Sequence, residues 1–274
     1  MESLNLRVGI VGVAGKMGQT LALALRDQPG LQLTAATEFE AHARLGEDVA
    51  TVCGASDPFD VALQSDIAAA AAACDVLIDF TRPACTLATL EAAVAANSAV
   101  VVGTTGFTSS ELAQLEQAAE RIPVMFSANY SVGVNVLLNL LERAASALGE
   151  DYDIEVVEAH HRYKVDAPSG TALAMGQALA RGRGIDLSES VYARHGDTGA
   201  REKGVIGFQT VRGGDVVGEH VAYFLGDGER VELGHKASSR ANFAHGALRA
   251  ARWLNGRPAG LYSMRDVLHD ALNA

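Results

Sequence analysis

Short apolar runs alternate with helix-like segments through the first half of the chain. Residues 6–11, 31–37, 76–80, 99–102 and 124–127 are β-rich and almost wholly apolar. Between them, residues 17–27, 68–73, 87–96 and 110–120 have helical spacing or composition. The first of these helices stops at Pro29-Gly30, and Ser109 or Ser110 caps the last. Strands that are apolar on both faces, each followed by a helix, predict a parallel sheet covered on both sides.

The pattern changes near residue 130. Residues 132–148 predict one long helix, and residues 153–159 alternate as a half-buried strand does. Residues 205–211, 217–224 and 230–234 predict three more strands, punctuated by Arg-Gly-Gly-Asp and Gly-Asp-Gly. Both punctuations read as hairpin turns, so this part is expected to be mostly antiparallel, with one helix near 171–181. Residues 242–254 are helical again and are expected to cross back over the first domain. No repeat or low-complexity linker interrupts the chain.

Composition narrows the function. The chain has 274 residues, enough for two modest domains, and 49% are hydrophobic. The formal net charge is −11, which argues against nucleic acid or an anionic membrane as partner. Three cysteines, Cys53, Cys74 and Cys85, form no CxxC pair and point to a reducing compartment. The opening MESLNLRVGIVGVAG reads as strand and turn rather than a signal peptide, and no run approaches a membrane span. A cytoplasmic location is expected.

The first strand runs into a glycine-rich turn, Gly12-x-x-Gly15-x-x-Gly18. Glycines let the backbone approach a pyrophosphate, and the helix that follows offers free N–H groups at its N-terminus. Glu38, at the end of the second strand, is placed to accept hydrogen bonds from ribose hydroxyls. The competing reading is an ordinary βα turn. Phe39 follows where a 2′-phosphate binder would want a basic residue, with Lys16 the nearest cation, so NADH is expected to serve at least as well as NADPH. Two further stretches lie beyond the carboxyl ends of parallel strands, where such sheets bind ligands: Gly103-Thr104-Thr105 and Ser127-Ala128-Asn129-Tyr130.

Residues 158–172, EAHHRYKVDAPSGTA, concentrate acid–base chemistry. If the strand stays regular to Lys164, then His160, Arg162 and Lys164 share one face. His160 is a sensible general acid, and Lys164 can fix a carboxylate or deliver a proton. Ser169 reads as the N-cap of a helix whose first turn holds Gly170 and Thr171, an anion site. The set suits a substrate carrying carboxylates. The histidines could instead be structural. Glu158 with the histidine pair could bind zinc, but no second cluster completes four ligands: His195 and His220 stand alone, and no metal is expected. His235 and His245 read as surface or packing residues.

On these motifs, together with IDFTRP (78–83), GTTGF (103–107), SANYSVGVN (127–135), HKASSR (235–240) and MRDVL (264–268), the chain resembles the 4-hydroxy-tetrahydrodipicolinate (dihydrodipicolinate) reductase family nearly end to end. The resemblance implies an α/β protein. Residues 1–130 and 241–274 would form a Rossmann-type parallel-sheet domain. Residues 131–240 would form a mostly antiparallel α+β domain for substrate binding and assembly into a homotetramer. It implies reduction of a cyclic dicarboxylic imine by NADH or NADPH with loss of water, in lysine and diaminopimelate synthesis. Hydride goes to C4 and a proton to C3.

By position in the motifs, His160 is the implied general acid and Lys164 the paired donor. His161 is an implied substrate ligand, with Gly170 and Thr171 holding a carboxylate. The implied cofactor contacts are Gly12, Val13, Ala14, Gly15, Lys16, Met17, Glu38, Gly103, Thr104, Thr105, Ser127, Ala128, Asn129 and Tyr130. Phe39 and Lys16 depart from the basic residue and the arginine common there. Closure about 129–133 and 239–241 is expected to bring cofactor and substrate together. Two alternatives stay in view: another nicotinamide dehydrogenase of small molecules, and an NAD(P)H sensor without chemistry.

Overall fold

The computed structural model describes residues 5–273, with side chains to residue 270. Residues 1–4, part of the opening stretch read as strand and turn, lie outside the described residues. The chain divides into two compact units, residues 1–132 with 241–274, and residues 133–240.

The first unit contains β1 (Leu6–Val11), α1 (Lys16–Arg26), β2 (Leu31–Thr37), α2 (Val49–Cys53), β3 (Leu63–Gln64) and α3 (Ile67–Ala72). It continues with β4 (Val76–Asp79), α4 (Pro83–Ala96), β5 (Ala99–Val102), α5 (Ser109–Ala119) and β6 (Pro123–Phe126). The second unit holds α6 (Val132–Leu148), β7 (Asp153–His160), α7 (Gly170–Arg183), β8 (Ile206–Arg212), β9 (Gly218–Gly226) and β10 (Glu229–Ala237). The chain then returns to the first unit as α8 (Ala241–Leu254), β11 (Gly260–Tyr262) and α9 (Met264–Asn273).

All pairings in the seven-stranded sheet are parallel, in the order β11-β6-β5-β4-β1-β2-β3. Its strands feed two cores because successive side chains point to opposite faces. Val76 and Ile78 of β4 pack with Leu21 of α1 and Leu248 of α8. Leu77 between them packs with Leu90 of α4 and Leu115 of α5. Fully burying each such side chain contributes about 1.5–3 kcal/mol. Helix α8 returns on a stripe of small and apolar residues, Ala244, Ala247, Leu248, Ala251 and Leu254, all buried. Gly246 permits the approach: a Cβ there would lie 1.7 Å from the Tyr130 carbonyl oxygen. Strands β3 and β11, two and three residues long, were not expected from the sequence.

The second unit is a four-stranded sheet, β10-β9-β7-β8, with α7 contributing Met175 and Leu179 to its core. Two pairings are antiparallel and β7–β8 is parallel. Asp227-Gly228 closes a two-residue hairpin between β9 and β10, as expected. Arg212-Gly213-Gly214-Asp215 does not make a hairpin, because β7 lies between β8 and β9. That loop instead crosses the end of β7. The Gly213 N–H donates to the His160 carbonyl (3.0 Å), and the His161 N–H donates to the Val216 carbonyl (2.7 Å). Among the described residues no helix is long and apolar enough to cross a membrane.

Candidate active site

The glycine turn of the first unit is a cradle built from backbone. The N–H groups of Gly12 and Val13 donate to the Thr37 carbonyl at 2.9 and 3.1 Å, which ties β1's end to β2. Gly12 has φ +74°, a conformation that favours glycine. At Gly18 a Cβ would sit 2.3 Å from the Gly12 carbonyl oxygen, so α1 packs directly on the turn. Gly15 is the N-cap of α1 and makes no side-chain cap, leaving the first-turn N–H groups for an anion. Glu38 Oε1 accepts the Ala14 N–H at 3.0 Å, so the carboxylate already faces the turn. These features fit a dinucleotide.

The cofactor residues expected from sequence divide by what they offer. Lys16 and Thr105 are exposed, Met17 is half-buried, and Val13 is a core residue that can offer only backbone. Thr104 is buried: its Oγ1 accepts the Thr81 N–H at 3.1 Å and the Thr86 hydroxyl at 2.8 Å. Gly103 lies against Phe80, where a Cβ would come within 2.1 Å of the ring. Ala128 is exposed, but Ser127 Oγ accepts the Met264 N–H at 2.8 Å and so serves α9. Asn129 Oδ1 accepts the Ser131 N–H at 2.8 Å. Tyr130 is fully buried and its hydroxyl donates to the Val102 carbonyl at 2.8 Å. Burial pushes that phenol well above its ordinary pKa. Phe39 is 57% exposed, its ring edge-on to His42.

Beneath this loop sits Asp79, a residue the sequence reading passed over. It is fully buried, and its Oδ1 accepts the Thr81 N–H (2.9 Å) and hydroxyl (2.6 Å). Burial raises its carboxyl, opposed by hydrogen bonds from Thr81, Thr89 and Thr86. Its other oxygen has no hydrogen-bond partner.

In the second unit, strand β7 ends at His160. The Lys164 N–H donates to the His161 carbonyl (3.1 Å), forming a turn, so His160, Arg162 and Lys164 do not share a strand face. The strand fails to continue because the 213–216 loop takes the backbone groups at its end. Lys164 Nζ lies 2.9 Å from Asp166, whose carboxyl it holds below the usual range. His161 Nδ1 accepts the Tyr163 N–H at 3.2 Å.

The buried face of β7 runs Ile154, Val156, Glu158, His160. His160 Nδ1 lies 2.6 Å from Glu158 Oε2, with side chains only 10% and 1% exposed. Arg212 donates to both Glu158 oxygens at 2.7 Å, and the Ser169 N–H donates to Oε1 at 3.0 Å. Burial alone would raise the Glu158 carboxyl. The bonds from Arg212, His160 and Ser169 outweigh it and hold the group below its ordinary value.

Ser169 caps α7, its Oγ accepting the Ala172 N–H at 3.1 Å, so Gly170 and Thr171 form the first turn as expected. The same hydroxyl lies 2.9 Å from His220 Nε2. His220 does not stand alone. Its ring packs edge-on to His160 at 5.0 Å, and burial, then the neighbouring His160, lower it to about 4. Glu158, Arg212 and His220 were missed as site residues. The available signal was a carboxylate and an imidazole continuing the apolar face of β7.

A backbone nucleotide cradle on a parallel sheet, with a separate buried acid–base cluster, defines the class as a nicotinamide-dependent oxidoreductase. Comparison with known proteins narrows it. Residues 6–130 match the family model described as dihydrodipicolinate reductase, N-terminus, and residues 133–268 match its C-terminus. A 4-hydroxy-tetrahydrodipicolinate reductase of Thiobacillus denitrificans is 53% identical over 97% of this chain and 99% of its own. One from Acinetobacter baumannii is 51% identical over 96% of both chains. A dipicolinate-bound dihydrodipicolinate reductase from Paenisporosarcina shares the fold, with TM-score 0.76 and 24% identity over 94% of this chain and 97% of that one. The chain belongs to the dihydrodipicolinate reductase family, whose members are NAD(P)H-dependent oxidoreductases.

Proposed function

We propose that this protein reduces 4-hydroxy-tetrahydrodipicolinate to tetrahydrodipicolinate with loss of water, in lysine and diaminopimelate biosynthesis. The observation that carries the reading is the 2.6 Å pairing of His160 with buried Glu158, beside the α7 N-terminus. We assign the nucleotide to the first unit and the dicarboxylate to the second.

The turn at residues 12–17 and Glu38 would hold NADH or NADPH, which would supply the hydride for C4 when bound. His160 protonates C3 as general acid, and Lys164, steadied by Asp166, is the paired donor. The α7 first turn at Gly170 and Thr171 receives a substrate carboxylate, with His161 as a further ligand. The turn through Gly12, Ala14 and Gly15 brings the pyrophosphate to the open N–H groups of α1's first turn, which begins at Lys16, and Glu38 takes the ribose hydroxyls. A carboxylate there disfavours a 2′-phosphate and Phe39 offers no cation, so NADH serves at least as well as NADPH. Segments 129–133 and 239–241 span the two places where the chain passes between units, and we assign the hinges there. The family resemblance also supports a cytoplasmic homotetramer.

The test is oxidation of NADH and NADPH with the freshly made condensation product of pyruvate and aspartate semialdehyde. Rapid oxidation that dipicolinate inhibits is expected. Tight NADH binding with no oxidation would leave the nucleotide site standing and refute the reductase function. A large NADPH preference would refute the reading of Glu38 and Phe39.

A further inference from the structure

A general acid must hold its proton on the nitrogen that faces the substrate. A histidine ring has two nitrogens, and the partner of one decides what the other can do. Here Nδ1 of His160 faces Glu158, and Nε2 lies on the side of Gly218 and His220.

We propose that Glu158 is the positioning residue of this site. It fixes a proton on His160 Nδ1, so that Nε2 carries the transferable one, and it ties the acid to the substrate-carboxylate helix. The inference rests on the proposed function. In the step itself the Nε2–H bond breaks and a C3–H bond forms. The electron pair placed at C3 by hydride addition at C4 takes the proton. Imidazolium becomes neutral imidazole with its Nδ1–H still on Glu158.

Three strands and a helix build the arrangement. Thr210 and His220 are the cross-strand partners of Glu158, and Arg212 is that of His160. Arg212 bonds both carboxylate oxygens, so the group stays an anion despite its burial. Oε1 also accepts the Ser169 N–H and the Thr210 hydroxyl (3.3 Å). Ser169 is the residue whose hydroxyl caps α7. One carboxylate thus contacts the proton donor through Oε2 and the start of the anion-binding helix through Oε1.

The charged and titratable groups next to the pair are Arg212 from β8 and His220 from β9, and His220 is in turn faced by His235 from β10 and Lys164 from the loop after β7. His220, held neutral near pH 7, adds no positive charge beside His160. Glu158 therefore supplies the one carboxylate in direct contact with the ring among the described residues.

The experiment compares wild type, Glu158→Gln and Glu158→Asp by pH profile, NADH affinity and 15N NMR of the His160 ring. In Glu158→Gln, kcat is expected to fall about 30-fold or more, somewhat less than the roughly hundredfold loss of the general acid itself, since His160 remains in place. The alkaline limb of the kcat–pH profile should move to lower pH, since loss of a contacting anion weakens proton binding. KM should rise less than kcat falls, NADH affinity should stay within about twofold of wild type, and Glu158→Asp should restore much of the limb. A Glu158→Gln enzyme with wild-type kcat and limb overturns the proposal. Should that variant fail to fold, the wild-type spectrum decides: neutral His160 protonated on Nε2 with Nδ1 bare overturns it. A wild type that turns over no substrate refutes the proposed reaction separately, and the spectrum still judges Glu158.

Discussion

Gly18→Ala should damage the nucleotide cradle from beneath, without touching any ligand. The added Cβ would lie 2.3 Å from the Gly12 carbonyl oxygen, 2.6 Å from Val13 Cα and 2.9 Å from the Val13 carbonyl carbon. All three are backbone atoms. Carbon contacts are normally about 3.5–4.0 Å, so helix and turn must separate by roughly 1 Å. The turn is poorly free to yield, because Gly12 and Val13 are both bonded to Thr37 and Val13 is fully buried. The helix is held by Leu21, Ala22 and Leu25 in the core. Overpacking of this kind costs about 1–3 kcal/mol. Near 2 kcal/mol, a unit of this size loses about 4–8 °C in Tm. The first-turn N–H groups move with the helix, so NADH affinity should fall at least about tenfold, or 1.4 kcal/mol. Gly15→Ala is the control: its Cβ meets a single atom, the Gly12 oxygen at 3.2 Å. Its Tm should stay within about 2 °C, and any lost affinity there reports crowding of the ligand itself. Calorimetric Tm and fluorescence titration with NADH measure both quantities. Wild-type Tm and affinity in Gly18→Ala would refute the packing argument.

Three other changes probe the second unit. Gly218→Ala places a methyl 3.0 Å from His160 Nε2 and 3.4 Å from its Cδ2. It should lower kcat by about tenfold or more with NADH binding intact, and unchanged steady-state turnover would mean that Nε2 is not the working nitrogen. His160→Gln should keep NADH affinity and lose about a hundredfold in turnover; near-normal turnover moves the acid elsewhere. His220, at about 4 when folded and 6.5 when free, binds a proton in the unfolded chain that the native protein refuses. Stability is therefore lost as pH falls from 6.5 toward 4, by an amount on the order of 3 kcal/mol. His220→Gln should flatten that part of the denaturation–pH curve, and an unaltered slope would count against a buried neutral His220.

The parallel sheet was legible because its longer strands are continuous apolar runs separated by helical periods. Strands β3 and β11 were not, since two or three residues carry no periodicity and their pairing comes from the sheet beside them. The strand drawn through Lys164 failed for a related reason. Its end is set by backbone groups of residues 213–216, some fifty positions away. The same distance hid the hairpin error, because a Gly-Gly turn looks alike whether its flanking strands are neighbours or straddle a third. In the first unit the motif positions were readable but their side-chain directions were not. Thr104, Ser127 and Tyr130 turn inward to hold the loops, which leaves backbone as what they can offer a ligand.

That contrast separates how the two units do their work. A cradle of backbone N–H groups depends on glycine positions more than on the side chains of the turn. The acid–base cluster depends on side chains brought into rows by strand register. Thr210, Glu158, His220 and His235 are successive cross-strand partners from β8 through β7 and β9 to β10. Because side chains alternate, a one-residue slip of β9 against β7 would put Glu219 or Val221 opposite Glu158. The first replaces a neutral ring with a second carboxylate, and the second removes the partner of the Ser169 hydroxyl. Either way Glu158 keeps Arg212 but loses the neutral His220 beside it, and Ser169 loses its imidazole partner. The parallel β7–β8 pairing matters for the same reason, because it brings Arg212 to the end of β7 where His160 stands. The nucleotide turn is held by backbone geometry, whereas His160 is only as well placed as the register of three strands.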